Sequence, residues 1–449
     1  MSNLHIPRGQ IATLDRVEGS LRLGNNATIQ ARNGKNVVVT GGVYLEGKAY
    51  VNCDLECDSL ESRAFLSKSK EFNWQSETAR LDLTGRYVGK LEVNGNLTVH
   101  KQLNISHSVK VTGLINSADI DVGGRIQAGS IKCNRIRVGG RADIENTFEA
   151  QSAEAGGKVV ASGQVKLGDL NVGGEVEVGG GSITGKILVG GRFVSRGQLE
   201  FGELLVYGKG LLPADCKGRK VSTFGKLEVE GNITCNYVEV GGVIEIRGDC
   251  HAEHVEVGGK FEVNGSLFVS DKLEGFGVVE VAGNFESANL RVSGKLTATK
   301  ITVKEEADIS GKTETKNGLK ATLVTVRNGS RCEGVLIGER VEVGKSVDLS
   351  YGGGGINWLF EHHATLLNQG MAAKGMWTAG GMAKVDDVYG TEVVLGPMCR
   401  AGRIFADTVR LERGSAAEQV TYTSELKIDF GAGVSEEPKK VGTLPKPPF

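Results

Sequence analysis

Apolar and polar residues alternate along most of the chain, and glycines interrupt the alternation at regular intervals. In the stretch HVEVGGKFEVNGSLFVSDKLEG, residues 254–275, apolar side chains recur at every second position between glycine-containing corners. Apolar residues two positions apart form one face of a β-strand, whereas a helix would repeat them about every three or four residues. The pattern therefore predicts short strands joined by glycine-rich corners.

The pattern repeats with a period of 17 residues, which the glycines that follow valine mark at Gly139, Gly156, Gly173 and Gly190. Stacked at this period, the sequence shows three pairs of apolar columns in each repeat. One column contains Val172, Val189, Val206, Val240 and Val257. Three inward pairs separated by corners predict one triangular coil of a β-helix. Strands of successive coils then pair in parallel, about 4.8 Å apart.

The predicted fold class is all-β: a single long β-helix (β-solenoid) with coils of about 17 residues, and a short helical insertion near its C-terminal end. The β-helix is assigned to residues 15–350, after an N-terminal tail of residues 1–14. Residues 61–80 lack glycine and alternation, which predicts a lateral excursion. Final β-helix coils are predicted over residues 386–430, and the Pro-rich, charged residues 431–449 are predicted to be a disordered tail.

A different periodicity appears in residues 351–385. Apolar residues from Ile356 to Met371 recur every three or four positions, which predicts one face of an amphipathic helix. Such a helix carries too much apolar surface to stand free in water. Three roles are open: a cap over the end of the β-helix, a contact with another subunit, or a membrane-surface helix. The residues predicted to form the cap or subunit contact are Trp358, Leu359, Phe360, Leu366, Leu367 and Trp377.

Composition narrows the function and the compartment. The chain has 449 residues, 66 of them glycine, and a formal net charge of −1. A chain with near-neutral charge lacks the excess of positive charge that binds nucleic acid, so no nucleic-acid partner is predicted. Eight cysteines without paired spacing fit a reducing compartment. The start MSNLHIPRGQ is not a signal peptide and no apolar run approaches the length of a membrane span, which favours the cytoplasm.

Candidate metal and thiol chemistry is sparse. Cys133, Cys216, Cys235 and Cys250 fall in inward columns, which predicts small buried core residues. His251 and His254 flank Cys250 at outward positions, so the three are not expected to converge on one metal. Cys53 and Cys57 lie close together but lack a second pair of ligands.

The sequence gives equally little support for an enzymatic function. No glycine-rich stretch has the spacing of a phosphate loop or opens a helix as a dinucleotide site must. Hexapeptide acyltransferases use coils of about 18 residues and a catalytic histidine near a loop, and the histidines near a break in the pattern here are His362 and His363. Polysaccharide lyases need clustered charges on one outer face. We therefore predict that the protein is not an enzyme and has no catalytic, cofactor-binding or metal-binding residues and no cofactor.

The repeated V-x-V-G-G-x-[VIF]-x-V-x-G coils resemble bactofilins, the polymer-forming cytoskeletal proteins, and their longer archaeal relatives. The resemblance covers residues 15–345 and, less strongly, residues 386–430. It implies a right-handed β-helix whose ends stack into filaments without nucleotide, often close to the membrane. The expected partner is thus another copy of the chain, in the cytoplasm or at the inner face of the membrane. Two alternatives stay open: a capped monomeric or dimeric scaffold or ligand-binding rod, and a β-helix acyltransferase.

Overall fold

The computed structural model describes residues 3–62, 89–345 and 382–448. These residues form strands, turns and corners, and none of them is helical. They divide between two compact units, an N-terminal unit of residues 1–230 and a C-terminal unit of residues 231–449. In each unit the paired strands run parallel and come from successive coils of a β-solenoid. The predicted all-β solenoid with a repeat of about 17 residues is confirmed.

The strands of the N-terminal unit are β1 Leu4–Ile6, β2 Ile11–Leu14, β3 Arg16–Val17, β4 Leu21–Leu23, β5 Ala27–Ala31, β6 Asn36–Leu45, β7 Lys48–Val51, β8 Asp54–Ser62, β9 Lys90–Val93, β10 Leu97–Ile105, β11 Ser108–Val122, β12 Arg125–Val138, β13 Arg141–Ile144, β14 Phe148–Ala155, β15 Lys158–Ala161, β16 Val165–Val172, β17 Glu175–Val178, β18 Gly181–Val189, β19 Arg192–Ser195, β20 Leu199–Val206, β21 Lys209–Leu212, β22 Cys216–Thr223 and β23 Lys226–Val229.

The strands of the C-terminal unit are β24 Ile233–Val240, β25 Val243–Ile246, β26 Cys250–Val257, β27 Lys260–Val263, β28 Leu267–Gly275, β29 Val278–Val281, β30 Asn284–Val292, β31 Lys295–Ala298, β32 Lys300–Val303, β33 Glu306–Ile309, β34 Lys312–Thr315, β35 Leu319–Lys320, β36 Leu323–Arg327, β37 Arg331–Glu333, β38 Leu336–Lys345, β39 Lys384–Val385, β40 Val388–Leu395, β41 Arg400–Leu411, β42 Ala416–Ile428, β43 Gly433–Val434 and β44 Lys439–Lys440.

One coil of the N-terminal unit shows how the repeat folds. Strand β16 bends in its middle and supplies two faces of the coil, and β17 supplies the third. The three faces contribute the inward pairs Val165 and Leu167, Leu170 and Val172, and Val176 and Val178, all of which are buried. The core is therefore a continuous stack of aliphatic pairs, and no coil can bury its own pairs without a neighbour.

The predicted valine column forms inward ladders in both units. In the N-terminal unit Val172 pairs in register with Val189, and Val189 pairs with Val206. In the C-terminal unit Val240 pairs with Val257. All five side chains are buried, so the 17-residue register read from the sequence is confirmed.

Close packing between successive coils explains why the corners carry pairs of glycines. A Cβ atom built on Gly156 would lie 2.5 Å from the carbonyl oxygen of Gly139, one coil earlier, and one on Gly190 would lie 2.6 Å from that of Gly173. None of these four residues has a φ in the left-handed region. These glycines therefore supply space for the neighbouring backbone rather than a backbone conformation that other residues could not adopt.

The solenoid reaches further towards both termini than the sequence analysis predicted. Residues 1–14 were predicted to form a tail, yet Leu4–Ile6 pairs with Leu21–Leu23 and Ile11–Leu14 pairs with Ala27–Ala31. The physical reason is visible in the sequence, since Leu4 lies one 17-residue period before Leu21. Within the predicted disordered tail of residues 431–449, β43 and β44 both pair with β42.

Two predicted irregular segments lie largely outside the described residues. The lateral excursion was placed at residues 61–80, but β8 continues to Ser62, and residues 63–80 lie outside the described part. The helical insertion was placed at residues 351–385, of which 382–385 are described and contain strand β39. Strand β39 pairs with β37 on one side and β41 on the other. The solenoid therefore resumes before residue 386.

Candidate assembly surfaces

The first three strands of the N-terminal unit form an open strand edge, here called the N-terminal edge. Strands β1, β2 and β3 pair with β4, β5 and β6 of the next coil. Among the described residues, none of the three has a partner on its other side. An unpaired strand edge presents a row of backbone donors and acceptors that another strand can bind.

The backbone of β2 shows which groups face outward at this edge. The Gln10 and Leu14 carbonyl oxygens accept hydrogen bonds from the Thr28 and Arg32 amides, each at 2.9 Å. In a parallel ladder alternate residues bond to the same neighbouring strand. The amide and carbonyl of Thr13 therefore point away from β5, toward the open side. Thr13 is exposed, so this donor and acceptor are accessible to a second chain.

Side chains at the N-terminal edge leave the end of the core partly uncovered. Leu4 occupies an inward position opposite Leu21, but 37% of its surface is exposed whereas Leu21 is completely buried. Ile11 lies opposite Thr28 at an outward position and is 65% exposed. A strand that paired with this edge would cover Leu4 and leave Ile11 on a lateral face.

The last coil of the C-terminal unit is better covered. Strand β43 pairs with Ala416–Ala417 of β42, and β44 pairs with Thr421–Tyr422. The covering segment SEEPKK, residues 435–440, combines charges with a proline, which are features that protect strand edges from further pairing. Within the described residues, the outer side of 425–428 has no partner strand, and Phe430 beyond it is 89% exposed. The two terminal edges are thus chemically different.

The residues predicted to form a cap or subunit contact, Trp358, Leu359, Phe360, Leu366, Leu367 and Trp377, lie outside the described residues. The described residues on either side do show where this segment enters the fold. Strand β38 before it pairs directly with β40 after it, from Leu336 opposite Val388 to Val343 opposite Leu395. The segment is therefore inserted between two successive coils, and the last coil lies further along the chain, at residues 416–428.

The cysteines are core residues, as the inward columns predicted. All eight are buried, and none of them forms a disulfide. Burial raises the pKa of the Cys57, Cys133 and Cys332 thiols to about 12. Burial also raises the pKa of the Cys250 thiol. A thiol with so high a pKa stays protonated at neutral pH and is neither a nucleophile nor a good metal ligand.

The histidines beside Cys250 do not join it in a common site. Cys250 is buried, whereas His251 is exposed and His254 is half-buried, and each ring stacks on an aromatic side chain of a neighbouring coil. The described part of the chain contains no group of three or more His, Cys, Asp or Glu side chains able to hold a metal ion. The structure thus places these candidate ligands in stacking and packing roles.

A shallow groove of about 540 Å³ follows one corner of the N-terminal unit, and no pattern in the sequence predicted it. Its lining includes His100, Lys132 and Glu149. These side chains already have polar partners, because His100 lies 3.0 Å from Glu56 and Lys132 lies 3.5 Å from Glu149. This groove is one surface that the ligand-binding alternative could use.

The N-terminal edge was missed because the apolar residues of LHI and IATL were assigned to a tail. Their signal was present, since Ile6 precedes Leu23, and Ala12 precedes Ile29, by one 17-residue period.

No helix among the described residues is long and apolar enough to cross a membrane. The chain matches no protein-family model, no curated protein and no solved structure.

Proposed function

We propose that this chain is a structural protein, similar in role to bactofilins, that assembles without nucleotide through the terminal edges of its solenoid into filaments or a rigid scaffold. The observation that carries the proposal is the N-terminal edge, where three strands have no partner on one side among the described residues and Leu4 is partly uncovered. A partner strand there would satisfy several backbone groups at once, each hydrogen bond contributing about 0.5–1.5 kcal/mol.

The chemistry of the site residues supports a structural role. The buried thiols of Cys57, Cys133 and Cys332 are protonated at neutral pH because of their raised pKa values. Outward charges pair with opposite charges one coil away, as in the 2.7 Å contact between Lys158 and Glu175. The eight cysteines are buried and form no disulfide, which also fits the proposed location in the reducing cytoplasm.

A second candidate, a capped dimer, is favoured by the difference between the two terminal edges. The charged, proline-containing residues 435–440 lie along the last coil, whereas the N-terminal edge has no such cover among the described residues. If only the N-terminal edge is available, two copies join through it and growth stops. Filaments need a second contact, for which the outer side of 425–428 and Phe430 are the available surface.

Sedimentation velocity on the full chain and on Thr13→Pro tests the proposed contact. Proline removes the outward amide of Thr13 and leaves the bonds to β5 in place. We expect the apparent association constant to fall at least about tenfold, which corresponds to a loss of about 1.4 kcal/mol of binding free energy. The control Ile11→Lys changes a lateral side chain of the same strand and should assemble normally. Unchanged assembly of Thr13→Pro would exclude this edge as the contact.

A further inference from the structure

A lateral groove of about 820 Å³ runs along one face of the C-terminal unit, and the chain's own C-terminal segment forms one of its walls. Its floor carries the apolar side chains Ile337, Tyr389 and Phe405 from successive coils. These three residues are register partners, Ile337 with Tyr389 and Tyr389 with Phe405. Elsewhere in this column the outward residues are polar, as with Lys320. The floor is therefore an apolar strip on an otherwise polar face.

The floor is aromatic and largely covered. The rings of Tyr389 and Phe405 stack with their centroids 4.6 Å apart. Phe405 points outward, because Ile404 and Ala406 on either side of it are completely buried in the core. Even so, only 9% of Phe405 is exposed. The groups that shield the ring include the stacked Tyr389 and the Arg403 guanidinium, whose central carbon lies 6.0 Å from the Phe405 ring centroid.

Residues 442–447 form the facing wall of the groove. They follow directly on β44, which pairs with Thr421–Tyr422, and the Val441 amide donates a hydrogen bond to the Tyr422 carbonyl at 2.9 Å. In the described part of the chain, this is the last backbone hydrogen bond before the segment reaches the groove. Leu444 within the wall is half-buried. The segment is thus anchored at its start by backbone hydrogen bonds, and beyond Val441 the described residues show no further backbone hydrogen bond to it.

The composition of this segment suits an aromatic groove. The sequence GTLPKPP at residues 442–448 contains three prolines, and closely spaced prolines favour the extended polyproline II conformation. Grooves lined by aromatic side chains bind such segments because little conformational entropy is lost on binding. Lys446 is the one charged residue of the segment, and the opposite side of the groove carries charges of both signs, Glu339 and Asp407 with Lys304 and Lys320.

We propose that this groove is a binding site for proline-rich segments, and that it accepts residues 442–448 of a second copy of the chain in exchange for its own. The free volume of about 820 Å³ between floor and wall shows that the resident segment does not fill the site. Because its backbone is bonded only as far as Val441, release costs few hydrogen bonds. Exchange would link copies side by side, which end-to-end association through the N-terminal edge does not do.

A complementation experiment between two full-length variants tests the exchange. The first variant, Phe405→Ser, has a damaged groove and an intact segment. The second, Leu444→Ser with Pro445→Ser and Pro447→Ser, has an intact groove and a damaged segment. The two variants carry different affinity tags. Each should capture the other at least about tenfold more than it captures a differently tagged copy of itself. Equal capture in the mixture and in the single populations would overturn the proposal.

Two controls keep this result independent of folding and of end-to-end assembly. Phe268→Ser removes another outward aromatic residue, stacked on His251 at 4.7 Å and outside the groove. Used in place of Phe405→Ser, it should self-associate like the unchanged chain. If Phe405→Ser fails to fold by circular dichroism, Tyr389→Ser, at a half-buried position, takes its place. The N-terminal edge is the same in every population, so association through it adds an equal background, and Thr13→Pro introduced into every variant lowers that background.

A peptide-binding measurement gives a second, direct readout. A fluorescent peptide with the sequence of residues 439–449 should bind the variant with the damaged segment, whose groove is empty, and bind the unchanged chain at least about tenfold more weakly. Replacing the peptide's prolines with serines should abolish binding. Failure of the peptide to bind the empty groove, or equal binding of the serine peptide, contradicts the proposal.

Discussion

Val240 and Val257 are direct register partners on neighbouring coils, and both side chains are buried in the core of the C-terminal unit. Their contact is the repeating element of the fold, since each coil supplies one half of the apolar surface that its neighbour needs. A solenoid built in this way depends on every inward position, because a lesion in one coil removes the partner of two others.

Val240→Glu should therefore prevent stable folding of the C-terminal unit. An unpaired carboxylate buried in this ladder costs several kcal/mol, roughly 3 or more. Thr234→Glu on the same strand is the matched control, because Thr234 is exposed. Thermal unfolding followed by circular dichroism should show a normal transition for the control and none for Val240→Glu. A soluble, cooperatively unfolding Val240→Glu protein would show that the position is not buried.

Two adjacent glycines should respond differently to alanine. A Cβ atom on Gly259 would lie well inside the van der Waals radius of the Gly242 carbonyl oxygen, whereas one on Gly258 would meet only the Val240 carbonyl oxygen, at 3.7 Å. Gly259→Ala should lower the free energy of unfolding by about 1–3 kcal/mol. Gly258→Ala should change it by less than about 1 kcal/mol, since alanine also reduces the freedom of the unfolded chain. Urea unfolding of both variants measures the difference, and equal effects would contradict the packing explanation.

The buried thiols predict a loss of stability at alkaline pH. Burial raises the pKa of Cys57 from its ordinary 9.0 to about 12 in the folded state. The contribution of the protonated thiol is complete below about pH 9 and is lost as the pH rises toward about 12, at up to about 1.4 kcal/mol per pH unit. Urea unfolding at pH 8 and pH 10.5 should show a smaller pH dependence for Cys57→Ala than for the unchanged chain. Identical pH dependence would mean that this thiol titrates normally.

A shielded ion pair in the C-terminal unit should contribute more to the free energy of unfolding than an exposed ion pair in the N-terminal unit. Arg327 binds both oxygens of Asp308 at 2.6 Å, and the Asp308 side chain is only 7% exposed. Arg327→Met should lower the free energy of unfolding by about 3 kcal/mol, because it strips a nearly buried carboxylate of its closest partner. Arg137→Met, which breaks the exposed pair with Glu154, should cost less than about 1 kcal/mol. Equal costs in urea unfolding would contradict the role assigned to burial.

The regular part of the fold was predictable because the apolar positions themselves recur with the period of the coil. The ladder of Val172, Val189 and Val206 follows from a 17-residue spacing and from alternation, with no long-range information needed. The limits of the solenoid were harder to place. Leu4 and Ile6 keep the period, but two short strands without doubled glycines were too weak a signal against the expectation of a frayed terminus.

The surfaces were less predictable than the core. That Phe405 faces outward follows from alternation, but the position of residues 442–447 across the groove from it depends on where the chain turns after β44. Proline and charge in residues 431–449 are typical of disordered tails, and here the same residues pair with and cover the last coil. The cause is the exposed strand β42, which supplies backbone partners that composition alone does not reveal.

Negative-stain imaging of the purified full-length protein, combined with sedimentation velocity, tests the central claim most directly. Samples in plain buffer, with ATP, with GTP and with EDTA should contain the same end-to-end assemblies, because a contact between strand edges needs neither nucleotide nor metal. Single, unassembled particles in all four samples, or assemblies that appear only with nucleotide, would contradict the account.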